Sequence, residues 1–178
     1  FSQGFEVSWK WNAPNGNKLN DVFLYSSSYA LAVGDCGTVW KTTNGGTGWS
    51  LMEVPWTDDC LKVWFTDANT IFIVTKDSNN NYWKIRRSTD NCVSWTAKSL
   101  ANTRTINSVA MFSSEYGYML NSGNINRTTN FFLNYTYYPV TYVFSEITLT
   151  DSLNIFAYGY TTYLSRSSSG GISWTTIN

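Results

Sequence analysis

Short runs of apolar residues separated by polar turn residues recur along the chain, and their length and alternation predict β-strands. The first complete unit holds four such runs, which begin at Leu19, Tyr29, Thr38 and Trp49. Gly, Asn and Ser residues stand between them, as is typical of tight turns between antiparallel strands. No window shows a helical period with caps. The pattern predicts an all-β chain made of four-stranded antiparallel units.

A polar turn that ends in an aromatic residue recurs once per unit. Copies occupy residues 41–49, 87–95 and 166–174, a weakened copy occupies 127–135, and a leading copy at 2–9 has lost the acid or amide. The closing aromatic residues are spaced 40, 46, 40 and 39 positions apart. A period of about 40 to 45 residues is that of a propeller blade. We therefore expect a β-propeller of about four blades, standing alone or as part of a ring of six to eight.

The repeat divides the chain into four predicted blades and one surplus strand. The blades are residues 12–55, 56–100, 101–140 and 141–178, and residues 1–11 form the outer strand of a preceding or partner blade. This surplus strand indicates either a section of a larger ring or a strand added to the sheet edge of the same or a neighbouring molecule. Exposed sheet edges would also permit self-association.

The turn resembles the Asp-box of BNR-type repeats. Together with LNDVF at 19–23, AVGDCG at 32–37 and KTTNGG at 41–46, it is similar to the photosystem II assembly factor-like propeller repeats of secreted proteins. Asp-boxes also occur in sialidases, xyloglucanases and sortilin-type receptors. The resemblance implies the propeller fold but leaves the activity open, because one fold carries many activities.

The polar residues of the turn are predicted to be structural. A short polar side chain accepts backbone N–H groups of its own turn, the glycines allow positive φ, and the aromatic residue packs on the sheet. The degenerate copies favour this role over a ligand site, since Ser169 replaces the acid in the last unit. The predicted structural residues are Thr42, Asn44, Gly46, Trp49, Ser88, Asp90, Trp95, Thr128, Asn130, Tyr135, Ser167, Ser169, Gly171 and Trp174.

Composition narrows the range of functions. The chain has 12 basic and 12 acidic residues, so no basic surface predicts nucleic-acid binding. It contains no histidine, which removes the commonest general base and metal ligand, and we expect neither a metal nor another cofactor. No apolar run approaches the roughly 20 residues of a membrane span, so no membrane insertion is expected.

A non-catalytic binding or structural module is the favoured function, with a protein or glycan partner. The binding residues are expected on the face that carries the crossovers between blades and at the mouth of the channel. The candidates are Trp56, Asp58, Asp59, Asp77, Asn79, Tyr82, Arg104, Tyr142 and Tyr160. Two alternatives remain: a fragment of an Asp-box glycoside hydrolase of the sialidase or xyloglucanase type, and a photosystem II assembly factor-like chaperone.

Covalent features indicate an extracellular or cell-surface location. Cys36 and Cys60 fall on the same face of neighbouring blades, which predicts a disulfide and leaves Cys92 free, although three unpaired thiols fit the sequence equally well. Asn126 and Asn134 begin N-glycosylation sequons that flank the third turn.

Overall fold

The computed structural model describes residues 16–100, 106–121, 124–139, 144–159 and 164–177. Sixteen strands lie in these ranges, and no helix there is long and apolar enough to span a bilayer. The strand predicted within residues 1–11 lies outside the described residues. Each sheet contains four strands that follow one another in the chain.

The strand bounds define the four blades. Blade 1 contains β1 (Leu19–Leu24), β2 (Ala30–Gly34), β3 (Thr38–Thr42) and β4 (Ser50–Leu51). Blade 2 contains β5 (Asp59–Phe65), β6 (Ile71–Lys76), β7 (Trp83–Ser88) and β8 (Thr96–Ser99). Blade 3 contains β9 (Ile106–Met111), β10 (Gly117–Asn121), β11 (Asn124–Thr128) and β12 (Tyr135–Pro139). Blade 4 contains β13 (Phe144–Leu149), β14 (Ile155–Gly159), β15 (Leu164–Ser167) and β16 (Thr175–Ile177).

Three hydrophobic clusters fill the spaces between successive blades. In the first cluster, Leu31 and Val33 of blade 1 pack with Val63 and Ile73 of blade 2. The principal members of the other two are Phe72, Val74, Met119 and Phe132 between blades 2 and 3, and Tyr118, Leu120, Ile147 and Ile155 between blades 3 and 4. The second strands of blades 2 and 3 are apolar on both faces because each lies between two neighbouring sheets. The predicted all-β propeller with four four-stranded blades is confirmed.

The repeated turn joins the third and fourth strands of every blade and is closed by two side-chain acceptors. In blade 2, Ser88 Oγ accepts the N–H of Cys92 at 2.9 Å, and Asp90 Oδ1 accepts the N–H of Ser94 at 2.8 Å. The equivalent acceptor and donor pairs are Thr42 and Gly46, Asn44 and Gly48, Thr128 and Phe132, Asn130 and Asn134, Ser167 and Gly171, and Ser169 and Ser173. An acid, an amide or a hydroxyl therefore performs the same task at the second position.

Two consecutive residues at the tip of each repeated turn have left-handed backbone conformations. In blade 1 they are Gly45 and Gly46, with φ of 68° and 86°. In blade 3 they are Phe131 and Phe132, with φ of 52° and 57°, which is an unfavourable conformation for a bulky residue. Both phenylalanine side chains are buried between blades 2 and 3. Packing therefore compensates for backbone strain in blade 3, where two phenylalanines stand at the positions that are glycines in blades 1 and 4.

The closing aromatic residues of the repeated turns are less uniform than their spacing suggests. Trp95 packs against the cluster between blades 1 and 2, and Trp174 packs on Phe144 with ring centroids 5.0 Å apart. Trp49 and Tyr135 are exposed. The predicted packing of this position on the sheet thus holds most clearly in blades 2 and 4.

Substituting alanine for Ser88 should destabilise the protein by about 1–3 kcal/mol, because it leaves the buried N–H of Cys92 without its acceptor. Urea unfolding of the wild type and the variant measures the difference. Thr89 is exposed in the same turn, so Thr89→Ala serves as the matched control and should change the unfolding free energy by less than about 0.5 kcal/mol. Equal stability of Ser88→Ala and wild type would contradict the structural role of this hydroxyl.

Candidate functional site

The innermost strands of all four blades meet at one cleft. Each of β1, β5, β9 and β13 has a register irregularity near its start. The residue that follows the irregularity differs in chemistry from blade to blade, and the four residues are Asp21, Lys62, Ser108 and Glu146. With Val63, Trp64 and Val109 they line a cavity of about 180 Å³. We call this cavity the inner cleft.

Hydrogen bonds between blades hold three of the four polar residues in the inner cleft. Asp21 Oδ2 accepts the N–H of Val63 at 2.9 Å. Ser108 Oγ donates to Glu146 Oε1 at 2.7 Å. The Lys62 side chain, which carries only donors, is exposed. The inner cleft therefore combines two carboxylates and one ammonium group with an apolar wall.

Asp58 is buried and forms a charged cluster with side chains of β6 and β7. Its Oδ2 accepts hydrogen bonds from Arg86 Nη2 at 2.6 Å, Lys84 Nζ at 2.9 Å and Thr75 Oγ1 at 3.2 Å. The Arg86 guanidinium lies 4.1 Å from the ring centroid of Trp56. Burial alone would raise the pKa of the Asp58 carboxyl, but the hydrogen bonds from Lys84 and Arg86 outweigh this effect and lower the pKa. Asp58 and Trp56, two of the predicted binding residues, therefore have contacts within the protein, and their binding of a ligand stays a prediction.

Asp59 connects the crossover to the turns on both sides of it. Its Oδ1 accepts the N–H of Cys36 at 3.0 Å, and its Oδ2 accepts the hydroxyl of Ser78 at 2.7 Å. The hydrogen bond from the Cys36 N–H is the main reason that the pKa of this carboxyl is lowered. Both acidic residues of the crossover thus have structural partners.

The turn between β6 and β7 presents the most accessible of the described binding candidates. Asp77 Oδ1 accepts the N–H of Asn79 at 2.9 Å, so this carboxylate stabilises its own turn. The side chain of Tyr82 is 57% exposed. An exposed ring on a defined turn is a typical anchor for a protein partner. The other three predicted residues, Arg104, Tyr142 and Tyr160, lie outside the described residues.

The sequence reasoning missed the inner cleft. In each innermost strand a polar residue directly precedes a Val or Ile, as Asp21 precedes Val22 and Glu146 precedes Ile147. Aligning the repeats on the innermost strands, rather than on the turns, would have placed these positions together. A wider depression of about 340 Å³ lies at the repeated turn of blade 1 and includes Lys41, Asn44 and Trp49. It belongs to one blade, whereas all four blades contribute to the inner cleft.

The predicted disulfide between Cys36 and Cys60 is not formed. All three cysteines are free thiols. Cys36 is exposed in the turn between β2 and β3 with φ of 54°, whereas Cys60 is fully buried in the cluster between blades 1 and 2. The topology argument placed the two residues in neighbouring segments, but it could not show that the Cys60 side chain faces the core.

The three thiols should differ sharply in reactivity. Burial raises the pKa of Cys60 and of Cys92 to about 11, so both are protonated at pH 8 as well as shielded. We expect one thiol per native chain, that of Cys36, to react rapidly with Ellman's reagent, and all three to react in guanidinium chloride. A Cys36→Ser variant should show no rapid reaction. Two or more rapidly reacting thiols in the native wild type would contradict the described burial.

The two sequons have different environments. Asn126 lies in β11 with its side chain buried, and its Nδ2 donates to Asn121 Oδ1 at 2.9 Å. A glycan on this nitrogen is incompatible with the folded blade, so the prediction for Asn126 is wrong. Asn134 is exposed in the repeated turn of blade 3, and its glycosylation stays a prediction. In the ranges that the structure describes, no group of three or more Cys, Asp or Glu side chains is placed to hold a metal ion.

Comparison with solved structures supports the architecture. A structure of YCF48 bound to a D1 peptide matches 91% of this chain and 53% of its own length, with 18% identity and a TM-score of 0.65. YCF48 from Cyanidioschyzon merolae matches 90% of this chain and 56% of its own length, with 16% identity and a TM-score of 0.61. The chain shares their β-propeller fold. No family model matches the sequence, and no curated protein does.

A glycoside hydrolase has a similar fold over a smaller share of its length. The GH74 xyloglucanase from Xanthomonas campestris matches 84% of this propeller and 28% of its own chain, with 13% identity and a TM-score of 0.56. This propeller spans about half the length of the two YCF48 structures. At these identities the similarities establish the fold alone.

Proposed function

We propose that this propeller is a non-catalytic, extracellular protein-binding module, and that it holds a peptide segment of its partner at the inner cleft. The observation that carries the proposal is the convergence of Asp21, Lys62, Ser108 and Glu146 from four separate blades on one cavity. A site built where rigid elements meet keeps its geometry without help from mobile loops.

The size and charge of the inner cleft favour one side chain of a peptide over a larger ligand. Its volume of about 180 Å³ is smaller than the roughly 300–1,000 Å³ of typical small-molecule pockets. Two carboxylates, those of Asp21 and Glu146, stand against the single ammonium group of Lys62. We therefore expect a basic anchor, Lys or Arg, flanked by extended peptide on the surrounding surface.

The comparison with YCF48 supports a peptide ligand in general terms. That protein was solved with a D1 peptide, so a similar propeller binds a segment of a protein. The assembly factor-like alternative would use the same kind of contact, and it differs from the proposed function in the partner rather than in the chemistry. Binding of the D1 peptide itself is reported for YCF48 and is not proposed for this chain.

The carboxyl groups support a non-catalytic role. A glycoside hydrolase needs a carboxylic acid whose pKa is raised, so that it can donate a proton to the leaving group. At five described residues the pKa shift has the opposite direction, because hydrogen bonds lower the pKa of the carboxyl. These residues are Asp58, Asp59, Asp67, Asp90 and Asp151. The pKa of Asp90, for example, falls to about 2 through the hydroxyl and N–H of Ser94. These five carboxylates accept hydrogen bonds and remain ionised at neutral pH, so they are unsuited to donate a proton.

A peptide array and a glycan array probed with the same labelled propeller test the proposal. We expect peptides with a central Lys or Arg to bind, and Glu146→Gln to weaken their binding about tenfold, because it removes one charge while keeping a group that can accept from Ser108. Glu53→Gln, at an exposed position outside the inner cleft, is the matched control. Binding confined to the glycan array, or equal peptide binding by the Glu146 variant and wild type, would refute the proposed site.

Secretion of the chain through a eukaryotic host tests the proposed location. The exposed Asn134 should acquire an N-glycan, and peptide-N-glycosidase F should remove the added mass. An Asn134→Gln variant should show no mass shift, whereas Asn126→Gln should behave as wild type because the Asn126 side chain is buried. Retention of the wild-type chain inside the cell in an unfolded form would count against an extracellular role.

A further inference from the structure

A hydrogen bond between innermost strands recurs at two junctions between blades. At the junction of blades 1 and 2, Asp21 Oδ2 accepts the N–H of Val63 at 2.9 Å. At the junction of blades 3 and 4, Ser108 Oγ accepts the N–H of Ile147 at 3.3 Å. In both cases a side chain of one innermost strand accepts a backbone N–H of the next innermost strand. This N–H therefore needs an acceptor from the preceding blade.

The junction of blades 2 and 3 lacks that acceptor. Lys62 is the first residue after the register irregularity of β5, as Asp21 is in β1. Val109 is the second residue after the irregularity of β9, as Val63 is in β5, so its N–H also points away from the second strand of its own blade. A lysine side chain has donors and no acceptor, so Lys62 cannot accept this N–H. No other side chain in the described part of the chain accepts it.

Both unmatched donors border the inner cleft. Val63 and Ile147 are 3% exposed, whereas Val109 is only half-buried and lines the cleft. The side chain of Lys62 is exposed and lines the same cleft. None of the ion pairs within the described residues involves Lys62. An ammonium group and a backbone N–H, neither with an acceptor, thus stand at one cavity.

A carboxylate matches these two donors. It has two coplanar oxygens, of which one can accept from Lys62 Nζ and the other from the N–H of Val109. A phosphate group carries more negative charge, so the carboxylates of Asp21 and Glu146 in the same cleft would repel it more strongly. Because Lys62 is exposed, a ligand carboxylate meets it at the edge of the cleft and leaves the interior to a basic anchor.

We propose that the inner cleft contains a second subsite, in which Lys62 Nζ and the N–H of Val109 bind a carboxylate of the partner peptide. This inference rests on the proposed function, since it concerns the peptide whose basic anchor lies against Asp21 and Glu146. The partner segment then carries a Lys or Arg next to a carboxylate, which comes from an Asp or Glu side chain or from a C-terminus. With both subsites filled, each charged group of the inner cleft has a partner of opposite sign.

Fluorescence anisotropy with labelled peptides tests the carboxylate and its source. Three peptides are amidated and contain a central Lys-Glu, Glu-Lys or Lys-Gln pair, and a fourth ends in Lys as either the free acid or the amide. We expect a carboxylate to strengthen binding about tenfold, as a charge-assisted hydrogen bond does. An advantage of Lys-Glu or Glu-Lys over Lys-Gln assigns the carboxylate to a side chain, and an advantage of the free acid over the amide assigns it to the C-terminus.

A Lys62→Met variant removes the ammonium group and keeps an unbranched side chain. With this variant the peptides that carry the carboxylate should lose their advantage. Lys98→Met, on the outer strand β8, is the matched control and should preserve it. Glu146→Gln should weaken all of these peptides by the same factor, because it acts on the basic anchor. Circular dichroism establishes that each variant is folded.

Amide hydrogen exchange followed by NMR observes the N–H of Val109 directly. In the free protein it should exchange at least tenfold faster than those of Val63 and Ile147, which have acceptors. A bound peptide with the carboxylate should slow this exchange more than the Lys-Gln peptide does. Slow exchange at Val109 in the free protein, or equal affinities with and without the carboxylate, would overturn the second subsite and leave the proposed function standing. Failure of every basic peptide to bind would overturn both.

Discussion

Replacing Asp58 by alanine should destabilise the propeller by about 3–5 kcal/mol, because it leaves the buried guanidinium of Arg86 without its carboxylate. The loss is large because a buried unpaired charge has neither solvent nor a counterion. Urea unfolding followed by tryptophan fluorescence measures it. Asp77→Ala is the matched control, since this carboxylate only accepts an N–H within its own turn, and it should cost about 1 kcal/mol or less.

A double variant separates lost charge pairing from lost packing at the same place. In Asp58→Ala with Arg86→Met the unpaired charge is gone, so the double variant should be more stable than Asp58→Ala alone. If both variants were equally unstable, the cost would come from packing around Trp56 rather than from electrostatics. Either result identifies what the buried cluster contributes.

The pH dependence of stability should follow the same carboxylate. Its pKa in the folded protein is lowered from 3.8, so ionised Asp58 stabilises the fold at neutral pH, and this contribution is lost as the pH falls through the folded-state pKa. The unfolding free energy of wild type should therefore decline below about pH 4, and that of Asp58→Ala should decline less steeply. Parallel profiles would show that other carboxylates dominate acid unfolding.

Replacing Phe131 by glycine should destabilise the propeller by about 2 kcal/mol even though it removes backbone strain. Loss of a buried phenylalanine side chain costs about 3–5 kcal/mol, and release of one left-handed non-glycine residue returns about 1–2 kcal/mol. Phe131 contacts Phe72 at a centroid distance of 5.9 Å and lies under the guanidinium of Arg87. Packing therefore outweighs strain, and thermal or urea unfolding measures the balance.

The control for Phe131 lies in the same turn. Leu133 is exposed, and Leu133→Ala should change the unfolding free energy by less than about 0.5 kcal/mol. A Phe131→Gly variant more stable than wild type would show that the turn, rather than the contact between blades 2 and 3, determines the choice of residue at this position.

The repeat made the fold predictable, because one aromatic-ended turn near every fortieth position has few architectural solutions. The environments of individual side chains were harder to predict from the sequence. Asp58 looked like a solvated loop acid because its partners Lys84 and Arg86 follow 26 and 28 residues later, on strands whose pairing the sequence does not state. Asn126 looked like an ordinary sequon because the strand register that turns it inward depends on its neighbours.

The inner cleft could not be found from residue type alone. The four polar residues of the inner cleft occupy equivalent positions in the fold but differ in chemistry, so no residue type repeats in the sequence. They are Asp21, Lys62, Ser108 and Glu146. Cys60 illustrates the same limit, since topology placed it near Cys36 but the direction of its side chain depends on the irregularity in β5. Position along a strand was predictable, whereas the face and the neighbours required coordinates.

The two side-chain acceptors that close each repeated turn leave one neighbouring residue without a structural role for its side chain. In blades 2, 3 and 4 the residue directly after the left-handed pair contributes only its backbone to the turn, and its side chain is strongly exposed. These residues are Val93, Leu133 and Ile172. Their side chains can change without disturbing the acceptors beneath them. The repeated turns of blades 2, 3 and 4 thus each present one exposed position that can be substituted without disturbing the blade. Substitutions at these three positions could create a new binding surface.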